Sequence, residues 1–212
     1  MAIRVFLVDD HALVRAGMRM LLDGDGGIDV VGEAASGEEA LPLVRRLQPD
    51  VVLCDLHLPG LSGLEVTARI ARAGSNVRVV MVSVLEDGPM PRRLIEAGAC
   101  GYVGKGGDAG ELLRAVRAAA QGRRYLSSGI AQGMALSGIH DRDSPFEALS
   151  ARELEVALLL VRGLRQEDIA RRLSLSAKTI NTHKSRLFDK LGIRDSIALA
   201  RMAGRYGLAE PL

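Results

Sequence analysis

Three aspartates, a serine and a lysine in the first half of the chain have the residue types that phosphoryl transfer requires. They are Asp9, Asp10, Asp55, Ser83 and Lys105, and each ends or follows a short apolar run. Carboxylates a few ångströms apart repel one another strongly, so a crevice that holds three needs a counter-ion. Mg²⁺ prefers such oxygen ligands and leaves positions open for phosphate oxygens. A carboxylate beside it can attack a phosphoryl donor to form an acyl phosphate, while the cation, an ammonium and a hydroxyl bind the transferring group.

The apolar runs that carry these residues are predicted to be strands of a parallel sheet. Five of them alternate with five helix-length amphipathic stretches between Ile3 and Gln121, which is typical of βα units with helices on both faces. The predicted strands are IRVFLV, IDVVGEA, DVVLCDL, VRVVMVSV and GYVG. They are apolar almost throughout, as burial on both faces requires. Because ligands of such sheets bind beyond the carboxyl ends of the strands, we expect the five residues to share one crevice.

Single residues of this group also have plainer structural interpretations. An isolated Asp at a strand end is commonly a helix N-cap, and only the combination of five suitable residues at four strand ends favours a site. Cys54 is expected to fill the core, because adjacent strand residues point to opposite faces. At His57, the oxygen preference of Mg²⁺ favours the backbone carbonyl as a ligand, and we expect the side chain at the surface.

Composition excludes several classes of protein. The 212 residues are 48% apolar, with 28 Lys and Arg against 26 Asp and Glu, which excludes a disordered chain. The longest apolar stretch, residues 156–161, is six residues long and too short to span a membrane. The N-terminal residues lack signal-peptide features, and two cysteines cannot form a disulfide framework. We therefore expect a cytoplasmic protein with no membrane partner.

Charge and composition change along the chain. Residues 1–145 hold 16 Lys and Arg against 18 Asp and Glu, whereas residues 146–212 hold 12 against 8. Residues 122–146 are rich in Gly and Ser, with a modest helical pattern near residues 130–136, and are predicted to be a linker, most clearly at GIHDRDSPF. We therefore predict domains at residues 1–121 and 147–212. The basic, all-helical second domain indicates a polyanion as its partner.

The second domain contains a predicted helix-turn-helix. Ser150 and Glu153 form a capping box that starts its first helix. Helices over residues 167–173 and 177–191 are joined by a short turn, and the second of two such helices can lie in a DNA major groove. A solvated polar face is the alternative interpretation, and His183 is expected to pack rather than read bases. The candidate DNA contacts are Lys178, Thr179, Asn181, Thr182, Lys184, Ser185 and Arg186.

The motifs VDDHALVRAGM, DVVLCDLHLPGLSG, VVMVSV and GACGYVGK resemble the successive signatures of bacterial response-regulator receiver domains. That resemblance implies a flavodoxin-like, doubly wound fold with Asp55 as the phosphate acceptor. It also implies that Asp9, Asp10, the Asp55 carboxylate and the His57 carbonyl hold Mg²⁺, and that Ser83 and Lys105 bind the phosphate. Tyr102 would be the switch residue that turns inward when Ser83 moves, although core packing alone also explains a tyrosine there.

Residues 147–207 resemble the four-helix DNA-binding domain of the LuxR type, and the whole chain resembles NarL/FixJ-family response regulators. The segments SPFEALSARELEVALLLV and EDGPMPRRLIEAGACGYVGKG resemble the sequences of the GacA/UvrY branch of that family. This resemblance implies a sensor histidine kinase as phosphodonor, double-stranded DNA as target, a homodimer when phosphorylated and a role as a global activator of transcription.

Two other functions stay open at this stage. An aspartate-nucleophile phosphatase of the haloacid-dehalogenase kind also uses a strand-end Asp and Mg²⁺, but it needs a second Asp where this chain has His57. A LuxR-type regulator with a small-molecule pocket would need an apolar, aromatic-rich cavity, and only 3% of the residues are aromatic. We therefore expect a phosphorylation-controlled regulator rather than an enzyme.

Overall fold

The alternating pattern of the first half of the chain forms one parallel sheet. The computed structural model describes residues 2–83, 90–137, 144–173 and 175–206. It divides the chain into two compact units, one ending at Ala131 and the other continuing from Gln132. The strands are β1 Ile3–Val8, β2 Ile28–Ala34, β3 Val51–Asp55, β4 Arg78–Ser83, β5 Gly101–Gly104 and β6 Tyr125–Leu126. Their order is β2-β1-β3-β4-β5-β6, and every neighbouring pair is parallel.

This confirms the predicted α/β fold, with one strand more than the five expected. The main-chain N–H of Tyr125 donates to Cys100 O at 3.0 Å, and that of Ser127 donates to Tyr102 O at 3.2 Å. These bonds attach β6 to the edge of the sheet beside β5. Two residues are too few to show the alternation that identifies a strand in sequence.

Helices cover both faces of the sheet. They are α1 Ala12–Asp23, α2 Gly37–Leu47, α3 Gly63–Arg72, α4 Met90–Glu96 and α5 Ala109–Ala120. Val5 and Leu7 of β1 join a buried cluster with Leu22 of α1 and Val116 of α5. Phe6 points to the opposite face, because successive strand residues alternate, and α2 contacts β1 there. Burial on both faces explains why the strands are apolar nearly throughout.

Part of the predicted linker is folded. Residues 122–146 include β6, the helix α6 Ser128–Ser137 and the start of a 3₁₀ helix, Pro145–Ala148. Residues 138–143, where the linker signal is strongest, lie outside the described residues. The helical pattern expected near residues 130–136 lies within α6. The limits 1–121, 122–146 and 147–212 remain predictions.

Four helices form the body of the second unit. They are α7 Ala151–Val161, α8 Gln166–Arg172, α9 Ala177–Leu191 and α10 Ser196–Arg205. The predicted capping box is present, because Ser150 and Glu153 exchange hydrogen bonds at the start of α7. The side chain of Ser176 caps α9 by accepting a hydrogen bond from Thr179 N. Ile169, Ile180 and Leu187 are fully buried, which places the apolar face of α9 in the core of this unit.

Within the described residues, no helix combines the length and the apolar character needed to cross a bilayer.

Candidate functional site

The five residues predicted to do chemistry lie at the carboxyl edge of four adjacent strands. Asp55 and Ser83 are the last residues of β3 and β4, Asp9 directly follows β1, and Lys105 directly follows β5. These strands are consecutive in the sheet, so parallel pairing brings their carboxyl ends to the same edge. That edge is where open α/β sheets bind ligands.

The three aspartates meet in one acidic cluster, formed by Asp9, Asp10 and Asp55. One oxygen of each, together with a ring nitrogen of His11, lies within 4.8 Å of the others. Lys105 Nζ donates hydrogen bonds to Asp9 Oδ2 and to Asp55 Oδ2, both at 2.7 Å. Asp9 and Asp55 are only 0% and 2% exposed, and buried carboxylates need such a partner because they have lost their hydration. Lys105 therefore bridges the ends of β1 and β3.

Burial and charge act in opposite directions on ionisation in this cluster. Burial lowers the pKa of Lys105, but the charges of Asp55 and Asp9 and the hydrogen bonds to them outweigh it, so the pKa is raised. The ammonium is therefore charged at neutral pH. Burial raises the pKa of Asp10, and the charges of Asp55 and Asp9 raise it further, against the opposing effect of His11. The single positive charge of Lys105 thus does not balance the three carboxylates of the acidic cluster.

The donor set fits a hard divalent cation. Carboxylate oxygens from three side chains are the ligands that Mg²⁺ prefers. Asp10 Oδ1 is buried and accepts no hydrogen bond from the described part of the chain, although His11 Nδ1 lies 2.8 Å away. Buried polar atoms are normally satisfied, and a cation beside Asp10 would satisfy this one.

The structure corrects the expectation for the His57 side chain. That side chain was expected at the surface, yet His57 is only 5% exposed. The segment after β3 lies close under the start of α3, because Gly63 N donates to Leu56 O at 2.9 Å. A Cβ on Gly63 would lie 2.1 Å from Asp55 O, so only glycine permits this approach. Cys54 is fully buried, as expected, and burial raises the pKa of its thiol.

Ser83 and Tyr102 are both fully buried. Ser83 ends β4 and pairs in register with Gly104, while Tyr102 pairs with Met81 two residues earlier. The tyrosine therefore already occupies an inward position, as core packing requires. Its predicted role as a switch and the His57 carbonyl as a metal ligand remain predictions.

Sequence reasoning missed two basic side chains beside the acidic cluster. His11 Nδ1 lies 2.8 Å from Asp10 Oδ1, and Arg15 donates from Nη1 to the main-chain carbonyl of Asp9. His11 is the N-cap residue of α1, and Arg15 lies in its first turn. Their position shortly after Asp9 and Asp10 in the sequence could have indicated that they lie beside the acidic cluster.

The second candidate site is the outer face of α9. Of the predicted DNA contacts, Lys178, Asn181, Thr182, Ser185 and Arg186 are exposed, whereas Thr179 and Lys184 are half-buried. Ile180, Leu187 and Leu191 face the core. The exposed set combines donors and acceptors that can reach base edges with cations that can reach phosphates.

Three contacts restrict this face. The hydroxyl of Thr179 lies 2.8 Å from Ser176 Oγ in the helix cap, Thr182 Oγ1 donates to Lys178 O at 3.0 Å, and Lys184 Nζ lies 5.4 Å from the centre of the Phe188 ring. The side chains of Asn181 and Ser185, one helical turn apart, are exposed and take part in none of these three contacts. His183 is half-buried, in agreement with its expected packing role.

Lys190 fixes the far end of α9. Its Nζ donates to Glu153 Oε2 at 2.7 Å, and the same oxygen accepts from Ser150 N. Burial raises the pKa of Glu153, but the hydrogen bond from Lys190 and those from Ser150 lower it overall. The helix that carries the predicted DNA contacts is thereby bound to the start of α7.

Comparisons with known proteins match both parts of the chain. Residues 5–117 match the response regulator receiver domain, and residues 147–203 match the bacterial regulatory proteins of the luxR family. The response regulator UvrY of Escherichia coli K12 is 45% identical over 210 residues, covering 98% of this chain and 96% of UvrY. The response regulator GacA of Pseudomonas viridiflava is 46% identical over 211 residues, covering 98% of each chain.

Two solved structures are similar to nearly the whole chain. The response regulator ChrA of a heme-sensing two-component system has 34% identity and a TM-score of 0.56, covering 98% of this chain and 99% of ChrA. RcsB from Salmonella enterica serovar Typhimurium, solved bound to promoter rprA in the presence of the phosphomimetic BeF₃⁻, has 26% identity and a TM-score of 0.65. The match covers 95% of this chain and 98% of the RcsB chain. The predicted relationship to GacA and UvrY is confirmed, and the chain belongs to the two-component response regulators of the LuxR family.

Proposed function

We propose that Asp55 accepts a phosphoryl group from a sensor histidine kinase, with Mg²⁺ bound at the acidic cluster, and that this modification controls binding to double-stranded DNA. The observation that carries the proposal is the convergence of the Asp9, Asp10 and Asp55 carboxylates within 4.8 Å. Lys105, whose Nζ bonds two of them, supplies the charge that a transferred phosphoryl group needs. The receiver-domain match supports a kinase as the donor.

Asp55 is better placed as the nucleophile than Asp9. Both carboxylate oxygens of Asp9 are engaged, one by His11 N and the other by Lys105 Nζ. At Asp55, the described contacts engage only Oδ2. Asp55 Oδ1 would attack the phosphorus of the donor phosphohistidine and form an acyl phosphate. The P–N bond breaks, its electron pair stays on the imidazole nitrogen, and that nitrogen takes up a proton.

The remaining site residues bind and neutralise the transferred group. Mg²⁺, when held by Asp9, Asp10, Asp55 and the His57 carbonyl, supplies positive charge to the phosphate oxygens. Lys105 keeps its proton, because the carboxylates raise its pKa. After transfer, its ammonium donates to a phosphate oxygen instead of to Asp55 Oδ2. The Ser83 hydroxyl, at the end of the neighbouring strand β4, donates a hydrogen bond to the same group.

Phosphorylation adds charge and acceptor oxygens within a packed site, and such a change shifts the equilibrium between two conformations of the groups around it. Ser83 and Tyr102 are the residues proposed to change conformation, because both are buried beside the modified edge of the sheet. The phosphorylated chain would then form a homodimer that presents two copies of α9 about one DNA turn apart. The solved complex of RcsB with a promoter and a phosphomimetic supports this sequence of events. A global activator role, as in the GacA/UvrY branch, is part of the proposal.

The experiment is capture of genomic DNA fragments by the full chain with and without acetyl phosphate. Wild type is expected to enrich a defined set of fragments when acetyl phosphate is present. Asp55→Asn is expected to show no such stimulation. Asp29→Asn, which removes an exposed carboxylate from β2, is the matched control and should behave as wild type. Equal enrichment by Asp55→Asn and acetyl-phosphate-treated wild type would refute the proposal.

A further inference from the structure

Arg15 of α1 connects the backbone of the acidic cluster to strand β2. Its Nη1 donates to the main-chain carbonyl of Asp9, and its Nε donates to Glu33 Oε2 at 3.1 Å. The Arg15 side chain is 18% exposed. The other oxygen of Glu33 accepts from Arg19, one turn further along α1. Glu33 thus holds two arginines, of which only Arg15 has a hydrogen bond to the acidic cluster.

The carbonyl that Arg15 binds belongs to the peptide between two of the aspartates. Asp9 N donates to Ala34 O at 3.2 Å, and the two carboxylate oxygens of Asp9 are bound by His11 N and Lys105 Nζ. Arg15 completes this set at the carbonyl. Because a peptide unit is planar, fixing the Asp9 carbonyl also fixes the positions of the Asp10 N–H and Cα, from which the Asp10 side chain extends.

Asp10 depends on this backbone support more than Asp9 does. Its Oδ1 is buried and accepts no hydrogen bond from the described residues. The ring of His11 lies close to it, with Nδ1 2.8 Å away, but that side chain is 57% exposed, whereas both carboxylate oxygens of Asp9 accept hydrogen bonds. Among the acidic side chains, Asp10 is therefore the ligand whose position a change at Arg15 would alter most.

We propose that Arg15 is a positioning residue for the cation site: it holds the Asp9–Asp10 peptide and, through it, the Asp10 carboxylate. The inference rests on the proposed function, since it requires a divalent cation at the acidic cluster. Groups that orient metal ligands in this way typically change metal affinity by 10- to 100-fold when they are lost. We expect Arg15→Gln to weaken Mg²⁺ binding about tenfold, at the low end of that range.

The sign of the change separates positioning from simple electrostatics. Arg15 carries a positive charge close to the acidic cluster, so Coulomb interaction alone predicts that its removal tightens cation binding. Loss of a positioning contact predicts the opposite. Arg19→Gln is the matched control, because it removes the same charge and the same kind of bond to Glu33 but no bond to Asp9.

The test is isothermal titration of MgCl₂ into the unphosphorylated full chain, with folding checked by circular dichroism. Arg15→Gln is expected to bind about tenfold more weakly than wild type, and Arg19→Gln to stay within about twofold, as for a surface charge screened by salt. Arg15→Lys keeps the charge but cannot donate to both partners through a planar fork, so weaker binding is expected there too. This variant also serves as the test if Arg15→Gln does not fold.

Each outcome has a distinct meaning. Unchanged or tighter Mg²⁺ binding by the Arg15 variants, or equal weakening by Arg19→Gln, would overturn the positioning role while leaving the cation site in place. Absence of Mg²⁺ binding by wild type itself would overturn the proposed cation site, and the role of Arg15 with it. Weakening confined to the Arg15 variants supports the inference.

Discussion

Replacing Lys105 with methionine tests whether this lysine allows two carboxylates to be buried side by side. Lys105 Nζ bonds Asp9 Oδ2 and Asp55 Oδ2 at 2.7 Å each, and those side chains are 0% and 3% exposed. Methionine keeps most of the apolar stem and removes the charge, so the effect of the substitution is mainly electrostatic.

The magnitude follows from the burial of the partners. Removing one member of a buried ion pair destabilises a protein by about 3–5 kcal/mol, because the other charge is left unpaired. The Lys105 side chain is 14% exposed, so water can partly replace it, and we expect a loss of about 3 kcal/mol in the free energy of unfolding. Lys190→Met is the control: it breaks a bond to Glu153 of the same 2.7 Å length, but the lysine is 42% exposed. About 1 kcal/mol or less is expected there.

The assay is urea unfolding of the full chain at neutral pH, followed by circular dichroism, with and without Mg²⁺. Because Mg²⁺ would neutralise the same carboxylates, it should stabilise Lys105→Met more than wild type and recover part of the loss. Equal losses for the Lys105 and Lys190 variants would refute this reasoning. So would an Mg²⁺ effect of the same size in Lys105→Met and in wild type.

Three further predictions concern phosphorylation, pH and DNA. Asp55→Asn should melt close to wild type by circular dichroism yet gain no phosphoryl group from acetyl phosphate by intact-mass measurement. Burial raises the pKa of Glu153, but Lys190 and the hydrogen bonds from Ser150 together lower it below its ordinary 4.5, so the stabilisation they provide is complete above that pH and is lost as the pH falls through the lowered value. Urea unfolding of Glu153→Gln should therefore depend less steeply on acidic pH than that of wild type. In salt titrations of DNA binding, Lys178→Ala should reduce the slope by about one, whereas Asn181→Ala should weaken specific binding by about 1–3 kcal/mol with the slope unchanged.

The elements that could be predicted from the sequence are those whose apolar residues form a clear pattern along the chain. Strands β1 to β5 are long enough to show continuous apolar character, and their boundaries with Asp, Gly and Ser gave the positions of the site residues. β6 could not be found in this way, because Tyr125 and Leu126 gain their strand conformation from pairing with β5 rather than from a local pattern. The Gly- and Ser-rich composition around α6 left only a modest helical pattern near residues 130–136, so its ends at Ser128 and Ser137 were not predicted.

The acidic cluster was predictable because strand ends of a parallel sheet share an edge. Its surroundings were not, since they depend on how separate elements pack. His57 is buried in the segment where Gly63 closely approaches the end of β3, and no periodicity reveals either feature. The bond from Arg15 to Asp9 depends on the path of the chain into α1 and on Glu33 from β2.

The most direct test of the phosphoryl-transfer site is to locate the modified residue after treatment with acetyl phosphate and Mg²⁺. Borohydride trapping of the acyl phosphate, followed by peptide mass spectrometry, should place the label at Asp55, and a chelator of divalent cations should abolish it. A label at Asp9 or Asp10, or labelling of Asp55 that persists without a divalent cation, would contradict the mechanism proposed for this site.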